Sequence, residues 1–73
     1  MTSSEESGAV VVDARGMKCP WPALRLARAM RTGGPVVLLA DDPQAERAIA
    51  ALAREHGWSL AAEAAGRWRV RHS

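Results

Sequence analysis

Asp13-Ala14-Arg15-Gly16-Met17-Lys18-Cys19-Pro20-Trp21-Pro22 is the stretch on which the fold turns. An apolar run stops at Asp13. Arg15-Gly16-Met17-Lys18 has the composition of a turn, and Gly16 can take backbone geometries closed to other residues. Two prolines two apart cannot lie inside a helix, because each lacks an N–H and its ring clashes with the preceding turn. The first turn of a helix tolerates proline. The stretch therefore reads as strand, turn and helix start, with a cysteine at the junction.

Upstream, Val10-Val11-Val12 is a β-branched run suited to a buried strand over residues 9–13. Residues 1–8 are polar and acidic, with Glu5 and Glu6, and read as a disordered tail. Downstream, residues 23–31 read as helix, with Ala23, Leu24, Ala27 and Met30 at helical spacing and Arg25, Arg28 and Arg31 on the outer side. Gly33-Gly34 stops it. Residues 36–40 form a second strand, apolar throughout. Asp41-Asp42-Pro43 ends that strand, and Asp42 reads as the N-cap of a helix starting at Pro43. This helix runs over 43–56 with Ala45, Ala48, Ile49, Leu52 and Ala53 as its buried stripe, and Gly57 ends it. Residues 58–64 and 67–71 are strands around an Ala65-Gly66 hairpin turn. Trp68 and Val70 point to one side of the last strand, and Arg67, Arg69 and Arg71 to the other. The expected fold is an α/β chain of the α+β two-layer sandwich type, in the order β-α-β-α-β-β. A four-stranded mixed sheet would carry both helices on one face, and residues 9–73 would be a single domain.

Composition narrows the function. A chain of 73 residues fits one domain with a thin core. With 15 Ala and neither Phe nor Tyr, that core does not surround a large enclosed substrate pocket. The net charge of +2 is too small to argue for nucleic acid by itself, and it is compatible with acidic protein partners. A single cysteine forms no intramolecular disulfide and points to a reducing compartment. With His56 and His72 it is a poor set of zinc ligands, so no structural metal is expected. The polar N-terminus is no targeting signal and no apolar run spans a bilayer, which together point to a cytoplasmic protein.

The position of Cys19 matters chemically. A helix's first turn offers unpaired N–H groups and the positive end of the macrodipole, where a thiolate or the terminal sulfur of a persulfide is stabilised. Arg15 and Lys18 add positive charge close by in sequence. A lone cysteine is also commonly a small buried hydrophobe. Trp21 serves either to dock a partner or to pack on its own domain. Trp58 and Trp68 read as core. Arg67, Arg69 and Arg71 with His72 could bind an acidic partner or RNA. A solvated strand face is the better reading, because no stacking aromatics share it. Asp41 and Asp42 could be a catalytic or metal-binding carboxylate pair, but Pro43 after them favours capping. Arg47 could anchor an anion or a partner, or pair near Asp42 and Glu46. His56 suits a helix C-terminus. Asp13 and Gly16 shape the turn.

The stretch from Asp13 to Pro22 resembles the signature of the TusA/SirA family of sulfur carriers: an Asp, a Gly, then Cys19-Pro20-Trp21-Pro22 opening the first helix. Ala40-Asp41-Asp42-Pro43, Arg47 and Ile49 resemble the family's segment after its second strand, so the likeness covers residues 9–72. The resemblance implies that Cys19 accepts sulfane sulfur from a persulfide on a cysteine desulfurase or rhodanese, holds it as Cys–S–SH, and yields it to an acceptor protein's thiolate. It implies a sulfurtransferase with no cofactor, no membrane and nucleic acid at most indirectly. Gly16, Pro20 and Pro22 would position the cysteine, while Arg15, Lys18, Trp21 and Arg47 would tune it or dock partners. Many members linked to tRNA thiolation have Glu where this chain has Trp21 and Asp where it has Ala48; the family also serves sulfur oxidation and molybdenum-cofactor biosynthesis. The competing expectation is a non-catalytic regulatory or RNA/protein-interaction module on the same fold, motivated by the Arg stripe and these two departures.

Overall fold

A computed structural model describes residues 5–6 and 9–72 of the chain. The β-branched run becomes strand β2 (Ala9–Asp13), preceded by a two-residue strand β1 (Glu5–Glu6) that pairs antiparallel with it through Glu5↔Val10 and Glu6↔Ala9. Two residues are too few for alternation to show in a sequence, so β1 had no signal. Residues 1–4 and 7–8 of the expected tail lie outside the described residues. The other elements are α1 (Trp21–Met30), β3 (Val36–Leu39), α2 (Ala45–His56), β4 (Trp58–Ala64) and β5 (Arg67–His72). From β2 onward the order is the expected β-α-β-α-β-β, and the fold is α+β.

The strands lie in the order β1-β2-β3-β5-β4. β2 and β3 are parallel neighbours joined by the α1 crossover, while β5 is antiparallel to both β3 and β4. The central position of β3 explains its continuous apolar run: Val36, Val37 and Leu38 are all fully buried. Val12, Val36, Leu38, Trp68 and Val70 join Leu26 and Met30 of α1 and Ala45 and Ile49 of α2 in one core cluster. The helices also touch each other, so both cover the same face of the sheet.

Two helix starts differ from expectation. α1 begins at Trp21, two residues before the expected 23, and its buried stripe is Pro22, Leu26 and Met30. Pro22 has no N–H to satisfy, so its ring can enter the core in the first turn, and residues four and eight further on share its side. Leu24, expected inside, is 51% exposed. α2 begins at Ala45 rather than 43. Residues 43–44 form a turn, Gln44 holds the N-cap position, and no side chain caps the helix. Asp42 is therefore not the N-cap: one of its carboxylate oxygens takes the Cys19 N–H and the other the N–H of Gln44. Gly57 ends α2 at φ 75°, a left-handed geometry, with its N–H shared between the carbonyls of Ala53 and Arg54.

The β4–β5 hairpin locks the end of β3. Gly66 has φ 75°, its carbonyl accepts the Ala40 N–H at 3.0 Å, and a Cβ there would lie 2.8 Å from the Ala40 oxygen. Only glycine allows this approach. On the sheet face away from the helices, Glu63 accepts from Arg67 Nε at 3.0 Å and from Arg69 Nε at 2.6 Å, and both arginines hold its carboxyl below its usual range. The basic stripe thus carries its own counter-charge, supplied by a hairpin partner that the strand's own sequence does not reveal.

Candidate functional site

Because β2 and β3 run parallel, their C-terminal ends lie side by side, and the loops leaving them meet. The Ala14 N–H donates to the Leu39 carbonyl at 2.7 Å, extending the ladder to the start of the turn. Asp13 then holds Arg15 in a fork. Its Oδ1 accepts the Arg15 backbone N–H at 3.1 Å and Nε at 2.9 Å, and its Oδ2 accepts the terminal guanidinium nitrogen at 2.8 Å. The side-chain bonds from Arg15, then its backbone N–H, pull the Asp13 carboxyl from 3.8 to about 2. The same pairing raises the Arg15 guanidinium. The positive charge expected beside the cysteine is therefore largely matched at Arg15, while Lys18 stands exposed.

The turn that follows is held from the β3–α2 loop. Gly16, at φ 85°, donates its N–H to Asp41 Oδ1 at 2.9 Å. The Met17 N–H closes locally on the Ala14 carbonyl at 3.2 Å. The Cys19 N–H donates to Asp42 Oδ2 at 2.6 Å, and Asp42 Oδ1 accepts the Gln44 N–H at 3.2 Å. The adjacent carboxylates that could have passed for a metal or acid–base pair instead accept hydrogen bonds from the cysteine-bearing turn. Sequence reasoning placed Asp42 at a helix cap. The available signal was an Asp-Asp pair ending a strand parallel to the one before the cysteine, but its partners lie 25 and 23 residues away.

Cys19 is exposed and forms no disulfide. No side chain among the described residues hydrogen-bonds its thiol. It stands two residues before α1. Within the first turn, the Trp21 N–H is taken by the Lys18 carbonyl at 2.9 Å and the Leu24 N–H by the Pro20 carbonyl at 3.0 Å. Pro22 has no N–H, so among the described residues the Ala23 N–H is the donor left without a backbone acceptor, and α1 has no acidic residue in that turn. Trp21 is 58% exposed, so it is not packed into the core of its own domain. With Leu24 three residues on, it makes an apolar step beside the cysteine. Arg25 and Arg28 are exposed further along α1, and Arg47 is exposed on α2.

A groove of about 660 Å³, lined by Arg15, Ala40, Asp42, Pro43, Gly66 and Trp68 among others, opens beside this turn. Cys19 does not line it, so the thiol stands on the open surface rather than in a chamber. His56 and His72 belong elsewhere. His56 stacks on Trp58 at 4.6 Å, and His72 meets the same ring edge-on and reaches the Met30 carbonyl at 3.1 Å, at the far end of α1. Among the described residues no base is hydrogen-bonded to this accessible thiol, and its backbone is braced at the Cys19 amide. The family model described as Sulfurtransferase TusA matches residues 10–72, from within β2 to the end of β5. No curated protein matches the chain.

Proposed function

The chain belongs to the TusA sulfurtransferase family, and on that premise we propose that it is a sulfur carrier that takes sulfane sulfur on Cys19 and passes it to a second protein. The observation that carries this reading is the exposed Cys19 thiol on a turn held at Gly16 and at the cysteine's own amide. In loading, the Cys19 thiolate attacks the outer sulfur of a donor persulfide. A new S–S bond forms to Cys19, the donor's S–S bond breaks, and the donor leaves as a thiolate, with no net oxidation or reduction. Unloading repeats the step with an acceptor thiolate as the attacker.

Gly16, Pro20 and Pro22 set the geometry of the turn; Lys18, Trp21 and Arg47 meet partners, and Arg15 with Asp13 braces the turn. A cysteine desulfurase or a rhodanese would be the donor, and the acceptor would serve tRNA thiolation, sulfur oxidation or cofactor biosynthesis. The Trp21–Leu24 step favours partners with an apolar patch over the thiol. A reactive single thiol suits the cytoplasm, and no helix among the described residues is long and apolar enough to cross a membrane. Glu63 between Arg67 and Arg69 makes the stripe less basic than it reads in sequence, which favours a carrier over an RNA-binding module.

Incubation with glutathione persulfide followed by intact-mass measurement tests the reading. The wild-type chain gains one sulfur and Cys19→Ser gains none, while both give the same circular dichroism. Equal sulfur uptake by the serine variant would overturn it.

A further inference from the structure

We propose that Asp42 is a positioning residue for sulfur transfer, its carboxylate aiming Cys19 by accepting that residue's own N–H. This rests on Cys19 being the sulfur-carrying residue. The geometry singles out Asp42 among the groups that brace the turn. Arg15 is held by Asp13 and Met17 by Ala14, both within the segment itself. Asp41 reaches only Gly16, three residues from the sulfur. Among the described residues Asp42 alone hydrogen-bonds the cysteine, at 2.6 Å, and Pro20 on the other side has no N–H to be held.

Asp42 is itself well placed to hold a direction. It follows the end of central strand β3, it is half-buried, and its second oxygen is fixed by the Gln44 N–H at 3.2 Å. A hydrogen bond to a carboxylate is about twice as strong as one between neutral groups. The Cys19 N–H lies in the peptide plane that carries its Cα, so holding that amide narrows the directions open to the Cα–Cβ bond from which Sγ projects. Attack on a persulfide needs the sulfur in line with the S–S bond being broken, and a displacement of about 1 Å in such a step can cost about a hundredfold. The exposed thiol has no side-chain partner among the described residues to aim it. Its orientation therefore depends on the backbone, and the Asp42 bond is the contact from outside the turn that reaches Cys19.

The test measures sulfur transfer from a persulfide-loaded cysteine desulfurase, with this chain as the varied substrate and intact mass as the readout. Asp42→Ala lowers kcat about tenfold and leaves KM within about twofold, because Lys18, Trp21 and Leu24 still meet the donor. Asp42→Asn loses the negative charge but keeps an oxygen acceptor, and retains kcat within about threefold of wild type. Such rescue is not expected if the carboxylate acts by charge alone. Loss confined to KM, full activity in Asp42→Ala, or an Asp42→Asn protein of native circular dichroism that falls as far as Asp42→Ala overturns the proposal. A wild-type chain that takes no sulfur even from glutathione persulfide overturns the carrier reading and this proposal with it. Normal wild-type loading with unaffected variants overturns this proposal alone.

Discussion

The fork between Asp13 and Arg15 shows how single residues fasten the cysteine turn to its strand. The Asp13 carboxyl is held at about 2, below its ordinary 3.8, first by the guanidinium bonds and then by the Arg15 amide. A carboxyl depressed on folding contributes its full share of stability above its unfolded value and loses it as pH falls through the folded one. The fork thus persists at neutral pH and opens between about pH 4 and pH 2. Both side chains are solvent-exposed, so the consequence is local order rather than a large gain in stability. A carbon-detected NMR titration checks this: Asp13 has its midpoint near 2 in the wild-type chain and moves up toward the ordinary value in Arg15→Ala. A wild-type midpoint at the ordinary value means that the fork does not form in solution.

At the scale of elements, glycines in left-handed geometry decide where α2 ends and where the last hairpin turns. Gly57 and Gly66 both have φ 75°, but their surroundings differ. An added Cβ at Gly57 meets nothing within 4 Å, whereas at Gly66 it lies 2.8 Å from the Ala40 carbonyl oxygen. Gly57→Ala therefore costs the backbone term alone, about 1–2 kcal/mol. Gly66→Ala adds a clash at the end of β3 and weakens the Ala40–Gly66 hydrogen bond, for a total of about 3 kcal/mol or more. Urea unfolding of the two variants measures the difference, and equal losses would show that the close approach at Gly66 is not felt. Both glycines were readable as breakers from sequence. The difference between them was not, because it depends on the carbonyl of Ala40, 26 residues earlier in the chain.

As a whole, the molecule is two layers with both helices on one face, so its stability is concentrated in a small buried set. A domain of 73 residues has a net stability of about 4–11 kcal/mol at typical per-residue values. Leu26 is fully buried between α1 and the sheet, and Leu26→Ala removes about 2–5 kcal/mol of that. Leu24, two residues away and half exposed, costs under about 1 kcal/mol on the same change. Denaturant midpoints of the two variants check the phase of α1, and the reverse order of losses would refute it. The same architecture explains the open site. Two layers enclose no chamber, and the parallel pair β2–β3 brings two loops together at its C-terminal end, where the cysteine stands exposed.

By itself, the sequence determined the local events: a β-branched strand, a glycine turn, a proline-started helix and a cysteine between them. These follow from steric limits on φ and from missing N–H groups, which act within a few residues. Only the tertiary structure decided the phase of α1, the Glu63 counter-charge on the arginine stripe and the grip of Asp41 and Asp42 on the cysteine turn. Those depend on which strands pair and in what register. Residues far apart in the chain become hydrogen-bond partners only once β2 lies parallel to β3 and the hairpin closes against it.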